Sequence, residues 1–382
     1  MKIRTTLERT FFLNPKMYKS LLIFGTRPEL IKVVPLIHEF EKRSLRDSLI
    51  IVHTNQHNSL VEKDMKAFNI KPDHQLEFPR EGNNLTSLVG NLLIKLNSLL
   101  TELKSTGTLV NCIISQGDTA TTYCSSLLAF HAGIPFYHIE AGLRTLNFMD
   151  PFPEEFYRKT ISSIAAFHFA PTAIEYQNLI KEQIDSTKIL ITGNTVIDTL
   201  KKYYNKEGLH PKNQVLITLH RRVKGDIIRH NYIKYFKKLA TENKEWHFIW
   251  LNHPGAKFVE NKTDKTPNLD FVEPIAYFEL LRLYEDTAII YTDSGGIQEE
   301  AGYLGIPCVI TRSETERKQG IINGLSFYLD FDEFDMKHQL DKFDRNKLTF
   351  KNDVYGCGDS AELILNKIVI LNEQMPTKPK LH

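Results

Sequence analysis

The sequence is poor in cysteine and tryptophan, with four cysteines and two tryptophans among 382 residues. The cysteines Cys112, Cys124, Cys308 and Cys357 form no Cys-x-x-Cys pair, and the first and third lie in strand-like apolar runs. This pattern predicts free, buried thiols in a reducing compartment. Long apolar runs are also missing, because the longest have strand length and a membrane helix needs roughly 20 residues. We therefore expect a cytoplasmic protein that does not span a membrane.

An excess of charge of one sign is absent as well. The 48 Lys and Arg against 46 Asp and Glu give a formal net charge of +2, and no long basic run occurs. Bulk electrostatics therefore predicts no nucleic-acid partner. Neither a His-Glu-x-x-His motif nor a cluster of His and Cys indicates a metal, and without a Gly-x-Gly-x-x-Gly turn a tightly bound dinucleotide is not expected. We predict that the protein uses no metal and no cofactor.

The sequence is long, and strand-like and helical patterns alternate regularly along it. A chain of 382 residues with 42% hydrophobic and 25% charged residues fits two globular domains. Strand-like runs alternate with helical patterns in both halves, so the predicted fold class is α/β, with two Rossmann-like, doubly wound parallel-sheet domains and a ligand cleft between them. The predicted boundaries are an N-terminal extension at 1–17, domains at 18–203 and 204–360, and at 361–382 a C-terminal helix that crosses back onto the first domain.

One stretch of the second half combines a strand, a glycine turn and a helix. The apolar run Ala288–Thr292 leads into Ser294-Gly-Gly-Ile-Gln-Glu-Glu300. Gly295 and Gly296 let the backbone approach a ligand, and the first N–H groups of the helix suit an anionic phosphate. Carboxylates would repel phosphate, so we expect one of the two glutamates to accept hydrogen bonds from neutral hydroxyls such as those of a ribose. The pattern indicates a nucleotide site, with an ordinary strand-to-helix turn as the alternative.

Polar side chains at the predicted strand ends define a second candidate site. Three carboxylates from separate loops accompany a histidine: Asp118, Glu140, Glu154 and His220. Such a group is typical of proton transfer, because neighbouring negative charge raises the pKa of one carboxyl while another stays ionised. Arginines that suit bidentate binding of a pyrophosphate lie in similar positions: Arg27, Arg144, Arg158 and Arg317.

Each of these residues also has a structural interpretation. Asp118 with Thr119 could cap the following helix, and Glu154 in a first helical turn could match the helix dipole. His220 could be a satisfied histidine at a strand end, and Arg158 could form an ordinary salt bridge on its helix. The combination of these residues, more than any one of them, favours a catalytic site.

Eight motifs occur in the same order as in a known family, from about residue 18 to the C-terminal helix. They are Gly25-Thr-Arg-Pro-Glu29, Gln116-Gly-Asp-Thr119, His138-Ile-Glu-Ala-Gly-Leu-Arg-Thr145, Pro153-Glu-Glu155 with Arg158, Gly193-Asn-Thr-Val-Ile-Asp198, Thr218-Leu-His-Arg-Arg222, Asp293-Ser-Gly-Gly-Ile-Gln-Glu-Glu300 and Thr315-Glu-Arg317. In these motifs the sequence resembles the non-hydrolysing UDP-N-acetylglucosamine 2-epimerases. The resemblance implies a GT-B-like pair of Rossmann domains and a homodimer.

The resemblance also implies a reaction, the interconversion of UDP-GlcNAc and UDP-ManNAc. Loss of the C2 proton with anti elimination of UDP gives 2-acetamidoglucal, and UDP then adds again after reprotonation on the other face. A positioned base suits the weakly acidic C2–H, and fixed positive charge suits the departing β-phosphate. The product would supply ManNAc units to bacterial surface polysaccharides such as capsules.

Site residues follow from the motif positions. Asp118, Glu140 and Glu154 match the acid/base carboxylates of the family, and His220 matches its essential histidine near the pyrophosphate. Residues expected to bind UDP and its phosphates are Arg27, Lys32, Arg144, Arg158, His253, Ser294, Gly295, Gly296, Glu300 and Arg317. A second UDP-GlcNAc, the allosteric activator of bacterial members, is expected at Gln56, His57 and Arg80.

The sequence departs from the family pattern near the sugar and the pyrophosphate. Val223-Lys-Gly225 follows the His-Arg-Arg motif where a Glu-Asn pair is usual, Lys318-Gln319 replaces Pro-Glu, and Tyr157 replaces an Asn. These changes concern which N-acetylhexosamine binds more than the reaction. The stretch 80–84 is also altered, which leaves allosteric activation open.

Three alternatives remain at this point. A hydrolysing relative would release ManNAc and UDP, although Pro28-Glu29 and the helix of Glu300 argue against it. A GT-B glycosyltransferase shares the fold but needs an acceptor and fewer carboxylates. A nucleotide-sugar sensor without catalysis would account for the altered loops at Val223 and Lys318.

Overall fold

The structure is a computed structural model in which two compact units are distinguished. It describes residues 18–55, 59–77, 84–204, 212–219, 226–252, 265–312, 314–329 and 353–374. At 59 and at 226–230 only the backbone is described. The first unit combines residues up to 199 with those from 356 onward, and the second comprises 200–355.

The first unit is built on a seven-stranded sheet in which every strand pair is parallel. Its strands are β1 (Tyr18–Phe24), β2 (Leu49–His53), β3 (His74–Gln75), β4 (Leu109–Gln116), β5 (Phe136–Ile139), β6 (Phe167–Ala170) and β7 (Ile189–Ile191). The order β3-β2-β1-β4-β5-β6-β7 changes direction between β1 and β4. Ligands of doubly wound sheets bind at such a switch point, beyond the carboxyl ends of the strands.

Helices cover the faces of this sheet. They are α1 (Arg27–Lys42), α2 (Ser59–Ala67), α3 (Leu85–Ser105), α4 (Ala120–His131), α5 (Glu154–Ile164), α6 (Ala173–Lys181) and α7 (Thr195–Tyr203). Because helices pack on both faces, central strands are apolar on both sides, and Leu22, Phe24 and Ile114 are fully buried.

The second unit repeats this plan with a six-stranded parallel sheet of order β10-β9-β8-β11-β12-β13. Its strands are β8 (Gln214–Thr218), β9 (His247–Leu251), β10 (Leu269–Val272), β11 (Thr287–Thr292), β12 (Cys308–Ile310) and β13 (Ser326–Tyr328). Its helices are α8 (Asp226–Glu242), α9 (Tyr277–Asp286), α10 (Gly295–Leu304) and α11 (Lys318–Ile322). In the core, the ring of Phe236 meets those of Trp250 and Tyr291 edge-on, with centroids 5.4 and 5.1 Å away.

The C-terminal helix α12 (Ser360–Glu373) belongs to the first unit. It packs against α1 through buried side chains that include Ile364 and Leu365. At its start, the Ala361 N–H donates to the carboxylate of Asp198 at 2.8 Å. The last helix that the structure describes thus completes a unit whose remaining part ends at residue 199.

The predicted fold class of two doubly wound parallel sheets is confirmed. The sequence pattern does not show β3, which with two residues is too short to display an alternation, and it also misses the three-residue strand β13. Among the helices that the structure describes, none is long and apolar enough to cross a membrane.

Candidate active site

Glu140 begins the loop that follows β5. Its backbone has φ of +66°, in the left-handed region that non-glycine residues seldom adopt and that costs energy. Its side chain is buried and accepts hydrogen bonds from Lys32 Nζ of α1 and from Asn194 Nδ2, the latter at 2.6 Å. Both donors reach the same oxygen, Oε2. Two buried donors therefore fix one of the predicted acid/base carboxylates.

Asp118 follows β4 and is bound by an arginine. Arg158 Nε donates to Asp118 Oδ2 at 2.6 Å, while Arg158 Nη1 donates to Glu155 Oε2 at 3.1 Å. The cap of α4 is Thr119, whose hydroxyl accepts from the Thr122 N–H at 3.2 Å. Asp118 is therefore positioned by Arg158, and helix capping falls to its neighbour.

Glu154 and Glu155 are the first two residues of α5, but they differ in burial. Glu154 is half-buried, whereas Glu155 is fully buried. The carboxylate of Glu155 accepts from the backbone N–H groups of Thr145 and Leu146 at 3.1 and 2.9 Å. Glu155, to which the sequence assigned no role, thus ties α5 to the loop that starts at Glu140. A signal was present, since Glu155 and Arg158 are three residues apart and share a helix face.

A second buried carboxylate without a predicted role joins two loops. Glu29 Oε2 accepts from the N–H groups of Gly25 and Thr26 at 3.0 and 2.6 Å, and Glu29 Oε1 accepts from the Thr119 hydroxyl at 2.6 Å. Burial raises the pKa of Glu29, and these hydrogen bonds act in the opposite direction. Glu29 therefore holds the loop of Arg27 next to the loop of Asp118.

His138, near the end of β5, supports the loop that leads to Asp118. Its Nε2 lies 2.7 Å from the carbonyl oxygen of Gly117. Burial lowers the pKa of His138 to about 4, so its ring is neutral at physiological pH. A neutral Nε2–H can donate to that carbonyl, which fixes the turn before Asp118, where Gly117 has φ of +81°.

Two arginines predicted to bind phosphate have carboxylate partners. Arg144 is buried and donates to both oxygens of Glu182, from Nε at 2.9 Å and from Nη2 at 2.6 Å. Arg27 Nε donates to Asp64 Oδ2 at 2.6 Å. The Arg144 guanidinium thus links the Glu140 loop to the end of α6, while Arg27 retains a partly exposed side chain.

In the second unit, α10 starts directly after the turn at Ser294. A Cβ added to Gly295 would lie 2.5 to 2.7 Å from the guanidinium of Arg317, whereas one added to Gly296 would meet nothing within 4 Å. A side chain at position 295 would therefore displace the guanidinium of Arg317. Both glycines and Ser294 are half-buried, and the free N–H groups of this helix end suit an anion.

Arg317 lies in a buried group of charges. Its Nε donates to Glu299 Oε1 at 3.0 Å and its Nη1 binds Glu316, which also accepts from Arg312 at 3.0 Å. Two arginines and two glutamates sum to zero charge. Carboxylates of the same unit thus offset the charge of Arg317.

Glu300, predicted to bind ribose hydroxyls, is held by two tyrosines of α9. Tyr277 donates to Oε1 at 2.9 Å and Tyr284 donates to Oε2 at 2.6 Å. The carboxylate is buried. Two neutral hydroxyl donors thus set the orientation of this carboxylate.

The remaining predicted residues, His220, His253, Gln56, His57 and Arg80, lie outside the described residues. In the part of the chain that is described, the structure brings Lys32 to Glu140, Arg158 to Asp118, and Arg317 to Gly295. No group of three or more His, Cys, Asp or Glu there could hold a metal ion.

Solved structures with the same architecture are similar over nearly the whole chain. The UDP-GlcNAc 2-epimerase from Neisseria meningitidis bound to UDP-GlcNAc has a TM-score of 0.81 and 30% identity, covering 92% of this chain and 100% of that chain. The S. aureus MnaA–UDP co-structure has a TM-score of 0.83 and 28% identity, covering 95% and 99%. With two Rossmann-like units, the chain falls in the GT-B-like class of α/β proteins.

Sequence comparison identifies the family within that class. The UDP-N-acetylglucosamine 2-epimerase of Bacillus subtilis is 33% identical over 369 residues, which cover 93% of this chain and 96% of that protein. The family model for UDP-N-acetylglucosamine 2-epimerase matches residues 39–369. The chain belongs to the UDP-N-acetylglucosamine 2-epimerase family, as its motifs predict. UDP-N-acetylglucosamine 2-epimerase activity is thereby supported.

Proposed function

We propose that this chain is a non-hydrolysing epimerase that interconverts UDP-GlcNAc and UDP-ManNAc. A base removes the C2 proton of the sugar, and the electron pair of the C2–H bond forms the C1=C2 double bond. The C1–O bond to the β-phosphate breaks, and its own electron pair leaves on the β-phosphate oxygen of UDP. The intermediate is 2-acetamidoglucal. A proton then adds to C2 from the other face, and a β-phosphate oxygen of UDP adds to C1. Atoms and electrons balance without an oxidant or reductant.

The observation that carries this proposal is the pair of positioned carboxylates in the first unit. Asp118 and Glu140 come from neighbouring strands, and each is fixed by a cationic donor, Arg158 and Lys32 respectively. Proton transfer at a weakly acidic carbon needs bases held in fixed orientations. We assign acid/base roles to Asp118, Glu140 and Glu154, with His220 near the pyrophosphate.

We assign UDP binding to the second unit and to arginines of the first. The N–H groups at the start of α10 suit the phosphates, and Glu300 suits the ribose hydroxyls because its carboxylate only accepts hydrogen bonds. Relatives solved with UDP-GlcNAc or UDP support a UDP-sugar as the ligand. The other assigned residues are Arg27, Lys32, Arg144, Arg158, His253, Ser294, Gly295, Gly296 and Arg317.

The experiment that tests this function is incubation with UDP-GlcNAc in deuterium oxide, followed by NMR. The elimination route predicts deuterium at C2 of both UDP-sugars and no accumulation of free ManNAc. Free ManNAc as the main product would establish the hydrolysing reaction instead. Absence of both exchange and UDP-ManNAc would contradict epimerisation and favour a sensor.

We further propose that the enzyme acts in the cytoplasm as a homodimer and that UDP-ManNAc serves bacterial surface polysaccharide. Light scattering on the purified protein tests the dimer, and a monomeric mass would contradict it. Allosteric activation by a second UDP-GlcNAc is proposed at Gln56, His57 and Arg80. Hyperbolic dependence on UDP-ManNAc without any need for added UDP-GlcNAc would show that this activation is absent.

A further inference from the structure

The motif Gly193-Asn-Thr-Val-Ile-Asp198 has no assigned role in the proposed reaction. It connects β7 to α7, at the carboxyl edge of the first sheet. Asn194 is 2% exposed, and its Nδ2 lies 2.6 Å from Glu140 Oε2. A buried amide thus contacts a carboxylate to which the proposed function gives a catalytic role.

The orientation of this amide is set by its own helix. Asn194 Oδ1 accepts from the Val196 N–H at 3.2 Å, and the Asn194 carbonyl accepts from the Ile197 N–H at 3.0 Å. Because Oδ1 is occupied by a backbone donor at the start of α7, Nδ2 is the group that faces Glu140. The side chain is therefore both a helix cap and a donor to Glu140.

We propose that Asn194 is a positioning residue that, together with Lys32, fixes Oε2 of Glu140 and so holds this carboxylate in the orientation that proton transfer requires. An ammonium and an amide NH₂ group can only donate, so a proton on Oε2 would face two donors. Charge-assisted hydrogen bonds of this kind are short and strong. The inference rests on the proposed acid/base role of Glu140.

The two donors are themselves connected. The Thr199 hydroxyl of α7 donates to the Ile31 carbonyl of α1 at 2.7 Å, one residue before Lys32. The C-terminal segment adds support, since a Cβ on Gly356 would lie 2.9 Å from the Gly193 Cα. The helices that carry Lys32 and Asn194 are thus held together, which keeps both donors on one oxygen.

The test compares steady-state kinetics of Asn194→Ala, Asn194→Asp and a matched control, Asn178→Ala. Asn178 donates a similar side-chain hydrogen bond, 3.0 Å long, to the Gly142 carbonyl in the Glu140 loop but does not touch the carboxylate. For Asn194→Ala we expect kcat to fall about 10- to 100-fold with KM changed less than about threefold, as for loss of a charge-assisted bond that orients a reacting group. For the control we expect a kcat near that of the wild type.

The Asn194→Asp variant tests the pH dependence of kcat, which a purely structural role of Asn194 would not change. Asp keeps the helix cap, since its Oδ1 also accepts from the Val196 N–H. It places a second carboxylate against Glu140, so the acid limb of the kcat–pH profile should move to higher pH by about one unit. Equal kcat values for Asn194→Ala and Asn178→Ala, or an unmoved profile for Asn194→Asp in a folded protein, would overturn the inference.

Glu140→Gln in the same series separates this inference from the proposed function. If Glu140→Gln keeps wild-type turnover, the acid/base role of Glu140 is wrong, whatever Asn194 does. If Glu140→Gln is inactive while both Asn194 variants behave like Asn178→Ala, the proposed function stands and only the role of Asn194 fails.

Discussion

Glu140 in the first unit follows a strand and Glu300 in the second lies within α10, and both are buried glutamates, but their donors differ. Lys32 and Asn194 both reach Oε2 of Glu140, whereas Tyr277 and Tyr284 reach different oxygens of Glu300. A carboxylate whose orientation is fixed by a cation and an amide suits proton transfer. A carboxylate bound at both oxygens by neutral hydroxyls suits hydrogen bonding to a ligand. The distribution of donors, more than burial, separates the two roles.

The largest effect should follow from Glu140→Gln. The amide cannot take up a proton from carbon, so we expect kcat to fall by about 10³-fold, within the range for loss of a general acid–base group. NMR detection of UDP-ManNAc and of C2 deuterium measures this loss. Exchange at the wild-type rate would remove the distinction between the two glutamates.

Gly295→Ala tests how firmly Arg317 is held in the second unit. The added methyl would press on a guanidinium that Glu299 and Glu316 fix, so we expect the free energy of unfolding to fall by about 1–3 kcal/mol in urea denaturation. The matched control is Gly296→Ala, which meets nothing within 4 Å and should raise helix stability by up to about 1 kcal/mol. Equal stabilities of the two variants would mean that Arg317 moves aside freely.

Glu300→Gln should have a smaller effect, and on a different kinetic constant. The amide keeps one acceptor but places an NH₂ group where the carboxylate accepted, so we expect KM for UDP-GlcNAc to rise about tenfold with kcat nearly unchanged, the sign of lost uniform binding. A fall in kcat with unchanged KM would place Glu300 with Glu140 as a reacting group.

Asp198→Asn extends the comparison to a buried carboxylate with a backbone donor. Burial raises the pKa of Asp198 from 3.8 to about 6. The folded state therefore binds this proton more tightly than the unfolded state does, and the wild type loses stability as pH rises from about 4 to about 6. The amide of Asn stays neutral and can still accept from the Ala361 N–H. At pH 7 we expect the variant to be more stable by on the order of 1–3 kcal/mol, and the difference should vanish near pH 4.

Urea denaturation of both proteins at several pH values measures that difference directly. The control is Glu362→Gln, an exposed carboxylate next to Ala361 on α12, which should leave the pH dependence of the wild type in place. A stability difference between Asp198→Asn and the wild type that does not change with pH would contradict the titration of Asp198.

Sequence reasoning located the strand ends, because apolar runs followed by polar motifs mark them directly. It could not decide which of Glu154 and Glu155 is buried, since that depends on how α5 is rotated against the sheet. The sequence also did not show that Asn194 contacts Glu140 or that Tyr277 and Tyr284 contact Glu300. Each lies far along the chain from the carboxylate it contacts, and only the folded sheet order brings them together. The roles proposed for His220 and His253 stay predictions.

The discontinuity of the first unit has a consequence for its synthesis. The segment that begins at Gly356 and contains α12 contacts the Gly193 loop and the Asp198 carboxylate. These contacts form only after the ribosome has made the whole second unit. Until then, a nascent chain has all seven strands of the first sheet but lacks the support behind Asn194. Emergence of α12 from the ribosome is therefore the step that completes the unit that contains Glu140.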